Sequence, residues 1–269
     1  LATGSVAPAS AQSLELETVL ARAGEYVEQY YTRTQSLLVE ETVILQPLSR
    51  TWSFEGFARR LEFELHVEWD PSATEPARVV RELVRASGPR LGPPDQPDCM
   101  DPRAISPEPL AFLLPDRRNA FSFEVAGSTR VDGREAVMLD YQVVARGQAT
   151  AEWTGQCAWV DLSGRTRGRI WADASTFEVL RFDEHLDGLV DIPRPRDRSA
   201  NGPRSFTFER ADSSIRYLQA TFENPDETLM LPTRIESTTI VRNSGVPRLR
   251  TIQTYANYRR FVTESRIVP

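Results

Sequence analysis

The stretch Arg167-Gly168-Arg169-Ile170-Trp171-Ala172-Asp173, then Ala174-Ser175-Thr176, then Phe177 through Leu186, constrains this chain most. Two runs rich in β-branched and aromatic residues flank a short Asp/Ser/Thr turn, the pattern of a β-hairpin. On the second arm Phe177 and Val179 point to one side, and Leu180, Phe182 and Leu186 to the other. A strand apolar on both sides needs a cover on each. The rest of the chain must supply elements that lie over a sheet.

The first cover precedes the strands. Ser13 is a candidate N-cap, with Glu15 and Glu17 where the helix dipole favours anions. Leu16, Leu20, Ala23, Val27 and Tyr30 then recur at helical spacing to about Arg33. After Ser36 the period becomes two: Leu37, Val39, Val43 and Leu45 alternate with polar neighbours until Pro47. Residues 61–69 alternate most cleanly, with Leu61, Phe63, Leu65, Val67 and Trp69 on one face and Glu62, Glu64, His66 and Glu68 on the other. The β-branched content of 78–85 makes it a strand.

Seven prolines between 88 and 109 predict a long irregular loop. Ser106-Pro107-Glu108 then opens a short helix through Leu110, Phe112, Leu113 and Leu114, a second cover or a lid. Phe121–Val125 and Val137–Tyr141 flank the turn signal Asp132-Gly133. Residues 188–204, with three prolines and four arginines, read as a mobile surface loop. Strands over 206–208, 215–222, 233–241 and 249–261 close the chain. The predicted class is α+β: one strongly curved antiparallel sheet, an open half-barrel, covered by an N-terminal helix and a short lid helix. Residues 1–12 read as a signal-peptide remnant or disordered tail, and 13–269 as a single domain.

Charge and composition exclude several functions. A net charge of −6 argues against a nucleic-acid binder. Every one of the 32 basic residues is arginine, so no Schiff-base or phosphate-loop lysine exists. No apolar run reaches the ~18 residues that span a membrane. Ala9-x-Ala11 resembles the end of a secretory signal and points to export. Cys99 and Cys157 then fit one disulfide in an oxidising compartment, with two unpaired thiols as the alternative.

Catalytic patterns are missing: neither Gly-x-Ser-x-Gly nor HExxH occurs. His66 and His185 each sit among acids and would suit a nitrogen–oxygen metal site if brought together; two solvated acidic faces are the simpler reading. Arg194-Pro195-Arg196-Asp197-Arg198 suits either phosphates or, more simply, water. The tryptophans and phenylalanines are either core or the lining of a cavity in a sheet too wide to fill itself.

Gly168–Trp171, the turn Asp173–Thr176 and the return Val179–Phe182 resemble the central hairpin of LolA/LolB-like lipoprotein carriers, which sensor domains of the RseB/MucB type share. Leu231-Pro232-Thr233-Arg234-Ile235 and Tyr255 through Phe261 are similar to the closing strands of that superfamily. The resemblance implies a concave apolar face that takes up acyl chains under helices that shift aside. Carried over by residue type, the lining would be Leu65, Val67, Trp69, Phe112, Leu113 and Trp171. It implies a non-enzymatic, periplasmic or otherwise exported protein with no cofactor and no metal. Its partner would be a lipid or lipoprotein acyl chain or, as a sensor on the same fold, another envelope protein.

Overall fold

The protein is described by a computed structural model over residues 15–34, 36–69, 77–90, 109–154, 157–162, 164–195, 203–223, 225–244 and 248–260. The helix α1 (Leu16–Arg33) forms where the apolar stripe predicts it, burying Val19, Leu20, Ala23, Gly24, Val27, Tyr30 and Tyr31. Its N-cap is Glu15, without a side-chain cap, and Ser13 lies outside the described residues. At the other end the Arg33 carbonyl accepts a hydrogen bond from Arg260, and the Arg33 side chain pairs with Glu227 at 2.8 Å. The helix is thus tied to strands almost two hundred residues away.

The strands are β1 (Ser36–Leu48), β2 (Arg59–Trp69), β3 (Ala77–Ser87), β4 (Phe121–Val131), β5 (Arg134–Val143), β6 (Thr150–Thr154), β7 (Cys157–Asp161), β8 (Thr166–Asp173), β9 (Val179–Leu186), β10 (Val190–Pro193), β11 (Ser205–Glu223), β12 (Asp226–Arg242) and β13 (Arg248–Arg260). They make an antiparallel sheet in the order β3-β2-β1-β13-β12-β11-β9-β8-β5-β4, with β10 beside β11 and a separate β6–β7 hairpin. The chain enters at β1, runs outward to the β3 edge, crosses to the β4 edge and works back until β13 closes on β1.

Laid flat, ten neighbouring strands span roughly 43 Å, several times the ~10 Å width of a helix. Yet one apolar cluster joins residues of α1 to inward residues of β1, β2, β5, β8, β9, β11, β12 and β13. The sheet must curl around α1 to bring them together. It stays open, because β3 and β4 end the strand order without pairing to each other.

The central hairpin forms as expected, and its turn shows why. The Asp173 carboxylate accepts hydrogen bonds from the Ser175 amide at 2.9 Å, the Ser175 hydroxyl at 2.6 Å and the Thr176 amide at 2.9 Å. Burial alone would raise its pKa, but these bonds and that from Arg134 outweigh burial and hold it far below the usual carboxylate range. A bulge beside Trp171 makes Leu180 an extra residue, so Val179, Leu180 and Phe182 are all buried.

Two local readings need correction, and the lid is narrowed. Of the short helix, Leu110–Leu113 is described and is a 3-10 helix, with a second at Arg118–Ala120, while the expected opening Ser106-Pro107-Glu108 lies outside the described residues. Pro109 and Pro115 bracket the first and leave too few residues for successive α-turns. Within 188–204, Val190 and Ile192 alternate into a small second cluster with Phe206, so this part is strand β10 rather than loop. Residues 196–202 lie outside the described set. The two short strands predicted over 206–222 are one continuous β11, because polar residues of its middle pair in register on both sides.

Candidate functional site

The inner face carries two features that periodicity alone does not predict. The first is a ring cluster at the β4 side. Phe112, on the 3-10 turn, stands 4.6 Å from Tyr141, 5.1 Å from Phe121, 5.8 Å from Phe182 and 6.2 Å from Phe123 between ring centroids. Phe112, Phe121 and Phe123 are only half-buried, whereas Tyr141 and Phe182 are buried. The turn that holds Phe112 is pressed on α1 at Gly24, where a Cβ would stand 3.2 Å from the Leu113 carbonyl oxygen.

Under these rings lies a polar pair. The Tyr141 hydroxyl donates to Glu184 at 2.8 Å. Burial pushes the Glu184 pKa up, against the hydrogen bonds from Tyr141 and Thr166, and burial with the Glu184 charge raises that of Tyr141. Gly168 makes the approach possible: a Cβ there would stand 2.1 Å from the Asp183 carbonyl oxygen and 2.7 Å from the Tyr141 ring.

An acid whose folded pKa exceeds its unfolded one contributes most below the unfolded value and loses stability as pH rises through the folded one. Glu184→Gln keeps an acceptor for Tyr141 without the buried charge. It is therefore expected to raise Tm at pH 7.5, with the gain shrinking toward pH 3, where the parent acid is protonated in both states. A Tm difference that is flat in pH, or grows as pH falls, contradicts this account.

The second feature is an ion pair in the apolar interior. Glu41 of β1 is 1% exposed and pairs with Arg81 of β3, whose Nε donates at 2.8 Å and whose terminal nitrogen donates to both carboxylate oxygens. Gln253 donates to the same carboxylate at 2.9 Å and Tyr255 at 3.2 Å. The Phe63 ring lies 4.6 Å from the Arg81 guanidinium carbon. The edge strand is thus fastened to β1 across β2.

The residues predicted to line a cavity are distributed as follows. Leu65, Val67 and Leu113 are inward and buried at 0%, 3% and 0% exposure, in one cluster with half-buried Phe112. Trp69 ends β2, and its side chain lies outside the described set. Trp171 alternates with Ile170 and Ala172 and so takes the other face of β8, between Arg169 and Arg181 at 5.9 and 4.6 Å. There it borders a cavity of about 670 Å³ with Gln142, Arg167, Arg169, Asp183 and His185, which Phe123 and Tyr141 of the ring cluster also line. His66 meets Glu64 at 3.3 Å on β2 and His185 meets Asp212 at 3.2 Å on β9, five strands away, so the two histidines share no site. Cys157 is buried and is not a free thiol, while Cys99 lies outside the described residues. Among the described residues, no helix is long and apolar enough to cross a membrane.

No known family model matches the chain, and neither does any curated protein. Solved structures do align with it. A LolA superfamily protein from Nitrosomonas europaea is 11% identical with a TM-score of 0.37, covering 95% of this chain and 97% of that one. A putative outer membrane lipoprotein-sorting protein domain from Vibrio parahaemolyticus is 9% identical with a TM-score of 0.38, covering 92% and 95%. MucB of Pseudomonas aeruginosa, solved in complex with MucA, is 12% identical with a TM-score of 0.26, covering 90% and 99%.

Proposed function

We propose that the protein is a non-enzymatic, exported binder of a lipid or lipoprotein acyl chain, taken up at the inner face beneath the 110–113 turn. The ring cluster carries this reading. Five aromatic side chains converge at one rim of the sheet, three of them half-buried, under a cover only four residues long. Rings repack among offset and edge geometries at small cost, so moving the turn opens an apolar path without unfolding strands. Leu65, Val67 and Leu113 lie deeper in the same cluster and would receive the chain once α1 shifts. Trp171 would stay outside it.

Phe123→Arg tests the reading at the rim. Phe123 is half-buried on the edge strand, so the arginine stem can lie along the cluster while its head reaches water. The variant is expected to fold with a loss of roughly 1–2 kcal/mol and to lose most of the parent's binding of cis-parinaric acid. A parent that binds no such probe, and from which solvent extraction releases no lipid, defeats the proposal.

In that event a sensor that docks an envelope protein takes its place. Edge strand β3 favours that second reading, since it exposes Val80, Leu83 and Val84, the last at 70%.

A further inference from the structure

The outer face of the sheet holds three arginines side by side. In register across adjacent strands stand Trp171 of β8, Arg181 of β9, Arg216 of β11, Arg234 of β12 and Thr254 of β13. Like charges directly opposite each other destabilise a sheet. Two of the arginines are compensated from the next row along the strands: Arg181 by Asp183 at 2.6 Å and Arg234 by Glu236 at 2.7 Å. Arg216, between them, is exposed and has no acidic partner among the described residues. The row itself contains donors and no carboxylate.

The backbone opens at the same place. One bulge lies beside Arg181, at Leu180, and another beside Arg234, between the partners of Arg216 and Tyr217. Bulges re-aim side chains and interrupt pairing next to sites. Between them is a cavity of about 180 Å³ bordered by Leu180, Arg181 and Arg216, together with Arg130 and Val131 at the end of β4 and Asp132 of the β4–β5 turn. It shares Val131, Asp132 and Leu180 with a neighbouring cavity of about 300 Å³ that adds Leu218 and Met230 along with Arg134, Tyr217 and Gln219. Arg130 is engaged by Glu135, and Asp132 borders the same cavity as Arg216. A guanidinium row beside an apolar hollow matches an anionic head with an apolar tail.

We propose that Arg181, Arg216 and Arg234 bind the phosphomonoester head of an amphiphile whose chain lies along Leu180 and Leu218. The arginine row is on the outer face and its binding does not require the acyl path described above, while Leu180 and Met230 belong to the same apolar cluster as that path.

Calorimetric titration of the whole chain tests this with three probes, each below its micelle concentration: lysophosphatidic acid, lysophosphatidylcholine of the same chain length, and inorganic phosphate. Lysophosphatidic acid is expected to bind about tenfold or more tightly than either of the others. Arg216→Gln should weaken lysophosphatidic acid and phosphate by about tenfold, the loss of charge-assisted hydrogen bonds. Its Tm in phosphate-free buffer should be unchanged or higher, since it removes a like-charge neighbour. Leu218→Ser should weaken lysophosphatidic acid and leave phosphate alone. Equal affinity for the two lysolipids, or an Arg216→Gln variant that binds like the parent, overturns the anion site. Phosphate binding as tight as lysophosphatidic acid, with Leu218→Ser silent, overturns the amphiphile and leaves free phosphate as the ligand.

Discussion

Glu41→Ala is expected to lower stability by about 3–5 kcal/mol, because it leaves the Arg81 guanidinium buried without its counter-charge. In a chain of this size that corresponds to a fall in Tm of about 10 °C. The side chains of Glu41 and Arg81 are 0% and 5% exposed, so neither can swing to water without carrying strand β3 away from the sheet. Gln253 and Tyr255 would lose their acceptor in the same step, adding unsatisfied donors. The paired substitution Glu41→Met with Arg81→Met should recover most of the loss, since well-packed apolar residues often replace a buried ion pair without penalty. Urea denaturation of the parent, the Glu41→Met and Arg81→Met single variants and the double variant gives the coupling directly. A single Glu41 variant within 1 kcal/mol of the parent, or a double variant no better than the single, would show that the pair is not what holds β3.

That pair also marks where reading the sequence stops. The alternation of β1 runs Leu37, Val39, Val43, Leu45, and it has one acid, Glu41, at an inward position. Period two therefore shows that a carboxylate points into the core. It does not show that the answering cation is Arg81, forty residues on and two strands across. The helix, the alternating strands and the hairpin turn were legible because each depends on residues within one or two turns of each other.

Long-range pairing was less legible. The ring cluster draws Phe112, Phe121, Phe123, Tyr141 and Phe182 from four separate elements, and only the strand order makes them neighbours. Trp171 illustrates the same limit within one hairpin. Both sides of that hairpin carry apolar residues, so alternation separates Trp171 from Ile170 without saying which is inward. The bulge at Leu180 then shifts the return strand by one residue, which no local pattern announced. The short strands β6 and β7 escaped notice for another reason. Their Trp153 packs on Phe206 of β11 at 6.1 Å, a partner that exists only after the sheet has formed.

Leu65→Arg is the sharper test of how the inner face accommodates a ligand. If the half-barrel is hollow at rest, an arginine at this position meets water in the cavity and costs little. The structure gives the opposite expectation. Leu65 is 0% exposed, leaving no water-sized space against it, and its register partners are buried Val39 on β1 and Arg81 on β3. Glu41, the nearby acid in this array among the described residues, is already engaged by Arg81, Gln253 and Tyr255. A second guanidinium would sit beside the first, overpacked and unpaired, a combination in the range above ~4 kcal/mol. The variant is expected to be insoluble or unfolded, while Phe123→Arg at the half-buried rim folds and loses only the probe. Acyl binding would then proceed by opening a filled core rather than by entering a preformed space, and association should be slower than diffusion because the turn and α1 must move first. A soluble, cooperatively folding Leu65→Arg protein with a loss under 2 kcal/mol would instead place a hydrated cavity at the centre of the sheet.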